Sequence, residues 1–183
     1  MRELSLNILD ICKNSTKAEA TEVKISLCID ENADLFSIEI VDNGKGMDGE
    51  FLKNITDPFT TTRTTRKVGM GIPLFKMSAE QAEGNFEISS KLGIGTRVFA
   101  SYKISSVDRM PLGDLASTIQ LLIGGDPQIN FILKVSKGES QFDFSSKEVG
   151  EIVGEENMGE PEVTDYIYQM IKENTDEITG GKV

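Results

Sequence analysis

Two hydrophobic periods alternate along the first hundred residues. Between Glu3 and Ala18 the residues Leu4, Ile8, Ile11, Cys12 and Ser15 fall along one side at helical spacing, which predicts a helix over 3–18. "TEVKISLCID" and "LFSIEIVD" then alternate apolar with polar positions as half-buried strands do, and "ENAD" between them reads as a hairpin connection. Residues 43–69 are rich in Gly, Thr and basic side chains and read as a long loop around a short helix near Gly49–Asn54. A further helix is predicted at about Ile72–Ala82, followed by two strands in "NFEISSKLGIGTRVFASYKI" joined at a glycine turn.

A boundary falls near Ser105–Met110, dividing the chain into 1–104 and an extension, 105–183. In the extension "PLGDLASTIQLLIG" predicts a helix with Pro111 near its start. "INFILKVSKGESQFDFSS" predicts a hairpin, and "SKEVGEIVG" and "PEVTDYIYQMIKEN" predict helices. The last residues, "TDEITGGKV", are expected to fray. The layout is α+β, with helices packed on a largely antiparallel sheet.

Length and composition narrow the classes. The 183 residues allow one domain, or one domain with a sizeable appendage. No apolar run approaches the ~18–20 residues of a membrane span. Glu3 and the lack of a small-residue cleavage site argue against a signal peptide. Cys12 and Cys28 lack metal-ligand spacing and read as free thiols, which points to the cytoplasm. The net charge of −11 argues against general nucleic-acid binding. Its distribution is uneven: residues 1–104 carry a net of −2 and residues 105–183 a net of −9. The first segment tolerates a polyanion and the second repels one. There is no histidine.

Four short motifs stand out, each open to a bland reading. Asp10, Asn14 and Lys17 project from one side of the first helix, away from the Ile8/Ile11 face. They form either a solvated polar face or a set able to order a water, ligate Mg²⁺ and touch a phosphate. "VDNGKGM", Val41–Met47, is either an Asn-Gly hairpin turn or a strand-end carboxylate placed to accept from an exocyclic amine, with glycines admitting a planar base. "DPFTTTRTTRKVGMGIPLFK" is either a flexible polar loop or a phosphate cradle. In the second reading Gly69 and Gly71 open a helix, and Arg63, Arg66 and Lys67 add positive charge. "GIGTRV", Gly93–Val98, reads by itself as a glycine turn.

In this order the motifs resemble the GHKL superfamily of gyrase, ninety-kilodalton heat-shock chaperones, histidine kinases and MutL. "DICKNSTKA" is similar to its N box, "DNGKG" to its G1 box, "GMG" to its G2 box and "GIGT" to its last box, over about residues 3–104. "NSTKA" and "DPFTTTR" bring the resemblance nearest to the ATP-binding domain of histidine kinases. The resemblance implies a two-layer α/β sandwich of the Bergerat type, with ATP and Mg²⁺ as ligands. It makes Asn14 the metal ligand, Asp10 the acid directing water on the metal side, and Lys17 a phosphate contact. Asp42 would bind the adenine amino group, with Gly44, Gly46 and Met47 shaping the pocket and Thr96 helping through water. Lys67, Val68, Gly69, Met70 and Gly71 would form the lid, and Arg63 would neutralise the γ-phosphate. Two departures matter. Lys67 replaces the first of the three spaced glycines that kinases carry, and the chain begins almost at the N box, leaving no room for a hairpin with a phosphoacceptor histidine.

Three functions fit. One is a kinase transferring the γ-phosphate in trans to a partner protein, as free-standing anti-sigma-factor kinases do. The others are a slow ATPase using Asp10, and an ATP-gated switch. Chains of this layout also resemble ATP-binding proteins of anaerobic bacteria, some encoded beside hydrogenase subunits, which suggests a redox enzyme as a partner. The acidic extension is either a cover for the sheet or a docking module for a basic surface.

Overall fold

The computed structural model describes residues 3–55 and 70–180. Six strands form one mixed sheet in the order β3-β4-β2-β1-β5-β6. They are β1 (Glu22–Asp30), β2 (Leu35–Asp42), β3 (Phe86–Lys91), β4 (Gly95–Lys103), β5 (Asn130–Lys137) and β6 (Ser140–Ser145). The helices are α1 (Leu4–Lys17), α2 (Gly49–Asn54), α3 (Gly71–Gln81), α4 (Leu115–Gly125), α5 (Ser146–Val153) and α6 (Pro161–Thr179), with a 3-10 turn at Glu155–Asn157.

Strand alternation assigns the two faces. Val23, Ile25, Leu27 and Ile29 of β1 are buried, as are Phe36, Ile38 and Ile40 of β2 and Phe131, Leu133 and Val135 of β5. Against this face pack α3 over β3 and β4, α1 over β2, α4 over β5, and α6 over β5 and β6. One apolar core therefore runs beneath all four helices. The other face holds polar side chains tied by ion pairs, Arg97 with Glu39 (2.6 Å) and Glu87 (3.4 Å) and Lys134 with Asp143 (3.1 Å). A sheet with one solvated face tolerates this alternation.

All sheet pairings are antiparallel except β1–β5, which is parallel and sets Glu22 opposite Asn130. The sheet is thus mixed, and the extension supplies its last two strands. The extension also caps α1. The Pro111 and Leu112 carbonyls accept from the Leu4 and Ser5 amides (3.0 and 2.8 Å), which a helix start otherwise leaves unpaired.

Two expected boundaries move. Pro111 does not open α4; that helix starts at Leu115, where the Asp114 carboxylate accepts from the Ser117 amide at 2.8 Å. The chain does not fray at Thr175. Instead α6 continues to Thr179, burying Ile171 and Thr175, and stops at Gly180 in a left-handed conformation.

Candidate functional site

The site lies where the C-terminal half of α1, the end of β2 and the start of β4 meet. Asp42, the last residue of β2, is half-buried and has three donors fixed on it. The Ser15 hydroxyl donates to Oδ2 at 2.6 Å, while the Gly44 and Thr96 amides donate to Oδ1 at 2.9 and 3.2 Å. A carboxylate offers about four acceptor positions, so one stays open for an amine. Beneath it the Cys12 thiol is held well above its ordinary value, first by burial and then by the Asp42 charge.

The backbone around Asp42 is shaped for close approach. Gly46 has φ +67°, and a Cβ there would run into the Lys91 carbonyl. Gly95 has φ +134°, and a Cβ there would run into the carbonyl of Asp42 itself. Only glycine meets both demands. Ser90 binds the two loops together: its hydroxyl donates to the Gly95 carbonyl (2.9 Å), accepts from the Met47 amide (2.8 Å) and pairs with the Thr96 hydroxyl (2.9 Å). Thr96 therefore faces Asp42 through its amide, with its hydroxyl turned to Ser90. Asn43 turns away from the site. Its side-chain oxygen accepts from the Thr21 and Glu22 amides (2.9 and 3.0 Å), and its NH₂ donates to the Thr21 hydroxyl (2.9 Å).

On α1, the side chains of Asp10, Asn14 and Lys17 make no hydrogen bond or ion pair with the described residues. Asp10 and Lys17 are exposed and Asn14 is half-buried. Gly71, the first residue of α3, lies against Asp10: a Cβ on it would stand 3.0 Å from the Asp10 Cβ. Met70 beside it is 50% exposed. Among the described residues no side chain caps the start of α3, and Pro73 has no N–H, so the Gly71 and Ile72 amides are the ones that could meet an anion. Arg63, Lys67, Val68 and Gly69 lie outside the described residues.

The structure thus brings Asp10, Asn14, Gly71 and the Asp42–Gly44–Gly46–Thr96 set to one end of the sheet. Sequence reasoning assigned Ser15 to the apolar stripe, quoted Gly95 within "GIGT" without giving it a role, and passed over Ser90.

The site suits a nucleotide on its own chemistry. A carboxylate with an open acceptor position matches an exocyclic amine, and glycine backbone admits a flat ring. Asn14 offers the oxygen that Mg²⁺ prefers, and no cluster of three His, Cys, Asp or Glu residues among the described residues offers a denser metal cage.

Comparison with known proteins agrees. Residues 1–105 match the family described as histidine kinase-, DNA gyrase B- and HSP90-like ATPase, and the chain belongs to that family. It therefore carries that family's ATP-binding domain. Similar proteins include sensor protein SrrB of Staphylococcus aureus, 33% identical over 52% of this chain and 17% of that protein. Sporulation kinase D of Bacillus subtilis is 31% identical over 54% of this chain and 19% of its own length. The autoinducer 2 sensor kinase/phosphatase LuxQ of Vibrio cholerae is 28% identical over 70% and 15%. The chain thus spans less than a fifth of each of these relatives. Among solved structures, the N-terminal domain of a DNA repair protein shares the fold, with a TM-score of 0.52 at 15% identity, over 79% of this chain and 52% of that one. No described helix is long and apolar enough to cross a membrane.

Proposed function

We propose that the chain is a Mg-ATP-dependent regulator that transfers the γ-phosphate to a partner protein in trans. The observation that carries this reading is the division of the site. A fully oriented Asp42 with one acceptor position open stands at one side, and Asp10, Asn14 and Lys17, unpaired among the described residues, stand at the other. Asp42 selects the base, Asn14 holds Mg²⁺, which would supply charge neutralisation at the phosphates, and Lys17 holds a phosphate oxygen. These 183 residues contain no histidine, so a histidine acceptor must lie outside them; a serine or threonine acceptor is equally compatible. We place the activity in the cytoplasm, in keeping with the free thiols Cys12 and Cys28.

A second reading, slow ATP hydrolysis, is favoured by one contact. The exposed Asp10 carboxylate lies beside Gly71 at the start of α3, where it can orient a water toward a phosphate held by the helix amides.

The test is calorimetric titration of ATP and of inorganic triphosphate, with and without Mg²⁺. ATP is expected to bind in the micromolar range, about −8 kcal/mol. Asp42→Asn should weaken ATP far more than triphosphate; equal loss for both would remove the base-contact role. Steady ADP release by the purified protein would select the hydrolytic reading.

A further inference from the structure

On the side of Asn43 away from the nucleotide site, a cavity of about 750 Å³ opens between the starts of β1 and β5 and the α5/3-10 segment. This volume lies within the range of ligand sites. Ile129 and Met158, both buried, contribute its apolar lining. Its charged lining is Glu22, Glu155, Glu156 and Lys147. Glu155 and Glu156 are exposed and make no ion pair or side-chain hydrogen bond with the described residues, whereas the Glu22 carboxylate accepts from Asn130 Nδ2 at 3.1 Å. Gly150 of α5 also lines the cavity. A Cβ there would touch Met158 Cγ at 3.4 Å and Glu155 Cγ at 3.6 Å, so the glycine lets α5 pack close against the 3-10 turn. A second depression, of about 620 Å³, shares Asn130 and Lys147 with the first and adds Glu148 and Glu151. The two adjoin at these shared residues, and the first is the groove with the apolar floor.

We propose that this groove docks a basic segment of a partner protein, with an arginine or lysine side chain seated between Glu22, Glu155 and Glu156. Charge complementarity chooses the occupant: an acidic segment would meet Glu22, Glu155 and Glu156, which Lys147 alone offsets among the residues lining the first cavity. An apolar floor beneath a charged rim also suits the long stem and charged head of such side chains. The groove and the nucleotide site share a wall. Asn43, which lines the groove, follows Asp42 directly and is fixed by hydrogen bonds to Thr21 and Glu22. An occupant that holds Glu22 therefore steadies the loop that presents Asp42, and ATP binds more tightly. This coupling rests on the nucleotide reading above, whereas the docking itself does not.

The probe is the peptide acetyl-Arg-Gly-Arg-Gly-amide, titrated into ¹⁵N-labelled full-length protein without nucleotide. Shifts are expected at the Asn43 side-chain amide, Lys147 and Gly150. Affinity should fall at least about tenfold in the Glu155→Gln/Glu156→Gln double variant, whose changes are on exposed residues. Equal affinity in the double variant, shifts spread along α6, or equal binding of acetyl-Glu-Gly-Glu-Gly-amide would overturn the proposal. Spermidine binding as tightly as the peptide would do so too, by making the site one for polyamines. Saturating peptide should then tighten ATP about threefold, and Asn43→Ala should abolish that gain. Peptide binding with unchanged ATP affinity would refute the coupling. Peptide binding by a protein that takes up no ATP would refute the nucleotide reading alone.

Discussion

Ser15→Ala separates the orientation of Asp42 from its proposed contact with the base. The Ser15 hydroxyl is 2% exposed and donates to Asp42 Oδ2 at 2.6 Å. A hydrogen bond to a charged acceptor contributes about 1.5–3 kcal/mol net. For a chain of this size each kcal/mol moves Tm by roughly 2–4 °C, so a fall of about 3–12 °C is expected. The effect on ATP should be much smaller. The bond exists before the nucleotide arrives, and the Gly44 and Thr96 amides still hold Oδ1 in the variant. Only the residual freedom of one carboxylate is then lost on binding, a cost of under about 1 kcal/mol, or less than about fivefold in Kd. The assay pairs thermal melts with ATP titration, and the stabilisation by a given excess of ATP over Kd should match wild type. An unchanged Tm would mean that the hydroxyl does not hold Asp42. A hundredfold loss of ATP affinity would mean that Ser15 itself contacts the base and that Asp42 is oriented by other groups.

Other expectations follow from single features. Asn7 is fully buried in α1 and neither polar atom of its side chain has a partner among the described residues; at about 1–3 kcal/mol per unpaired group, Asn7→Leu should raise stability by roughly 2 kcal/mol in urea unfolding. A lower midpoint would show that the amide is satisfied by bound water. Gly46→Ala must adopt φ near +67° and crowd the Lys91 carbonyl, so it should cost more than about 2 kcal/mol and abolish ATP binding; a wild-type midpoint with intact binding would refute the cradle. Cys12 and Tyr102 both have pKa values raised chiefly by burial. The unfolded chain therefore releases their protons first, and stability should decline as pH rises above about 8.5, where an unfolded thiol ionises. Iodoacetamide should accordingly modify exposed Cys28 in the native protein and Cys12 only after unfolding; rapid native modification of Cys12 would contradict its burial. A chain ending at Ile104 should lose cooperative melting, because α1 loses the Pro111 and Leu112 carbonyls and β1 loses β5; a sharp melt with ATP binding intact would refute this.

Local signals made most of the fold legible. The stripe Leu4–Ile8–Ile11–Ser15 gave α1 because burial there follows helical spacing, and Asp48, accepting from the Glu50 and Phe51 amides, marks the start of α2 in the sequence itself. The misplaced start of α4 came from weighing Pro111 over Asp114, whose spacing to Ser117 is the stronger cap. The end of α6 was missed because its buried positions there, Thr175 and Thr179, are polar, so the stripe fades although the helix does not. No short-range pattern announces that β5 lies parallel to β1. In the site, Asp42 and Gly46 were legible because a strand-end acid and a spaced glycine pair are local features. Ser15, Ser90 and Gly95 were not, since each acts by reaching a residue brought near only by the sheet.

The parallel pairing of β1 with β5 also dictates an order of events during folding. Glu22 and its bonding partner Asn130 are 108 residues apart in the chain. Closing so long a loop loses conformational entropy before any contact offsets it, which slows chains built on distant pairings. The β1–β2 hairpin can form as soon as residue 42 has been made, but its outer edge waits for a strand synthesised much later. On the ribosome, then, the edge of β1 stays unpaired until the acidic half has followed the nucleotide-binding boxes out.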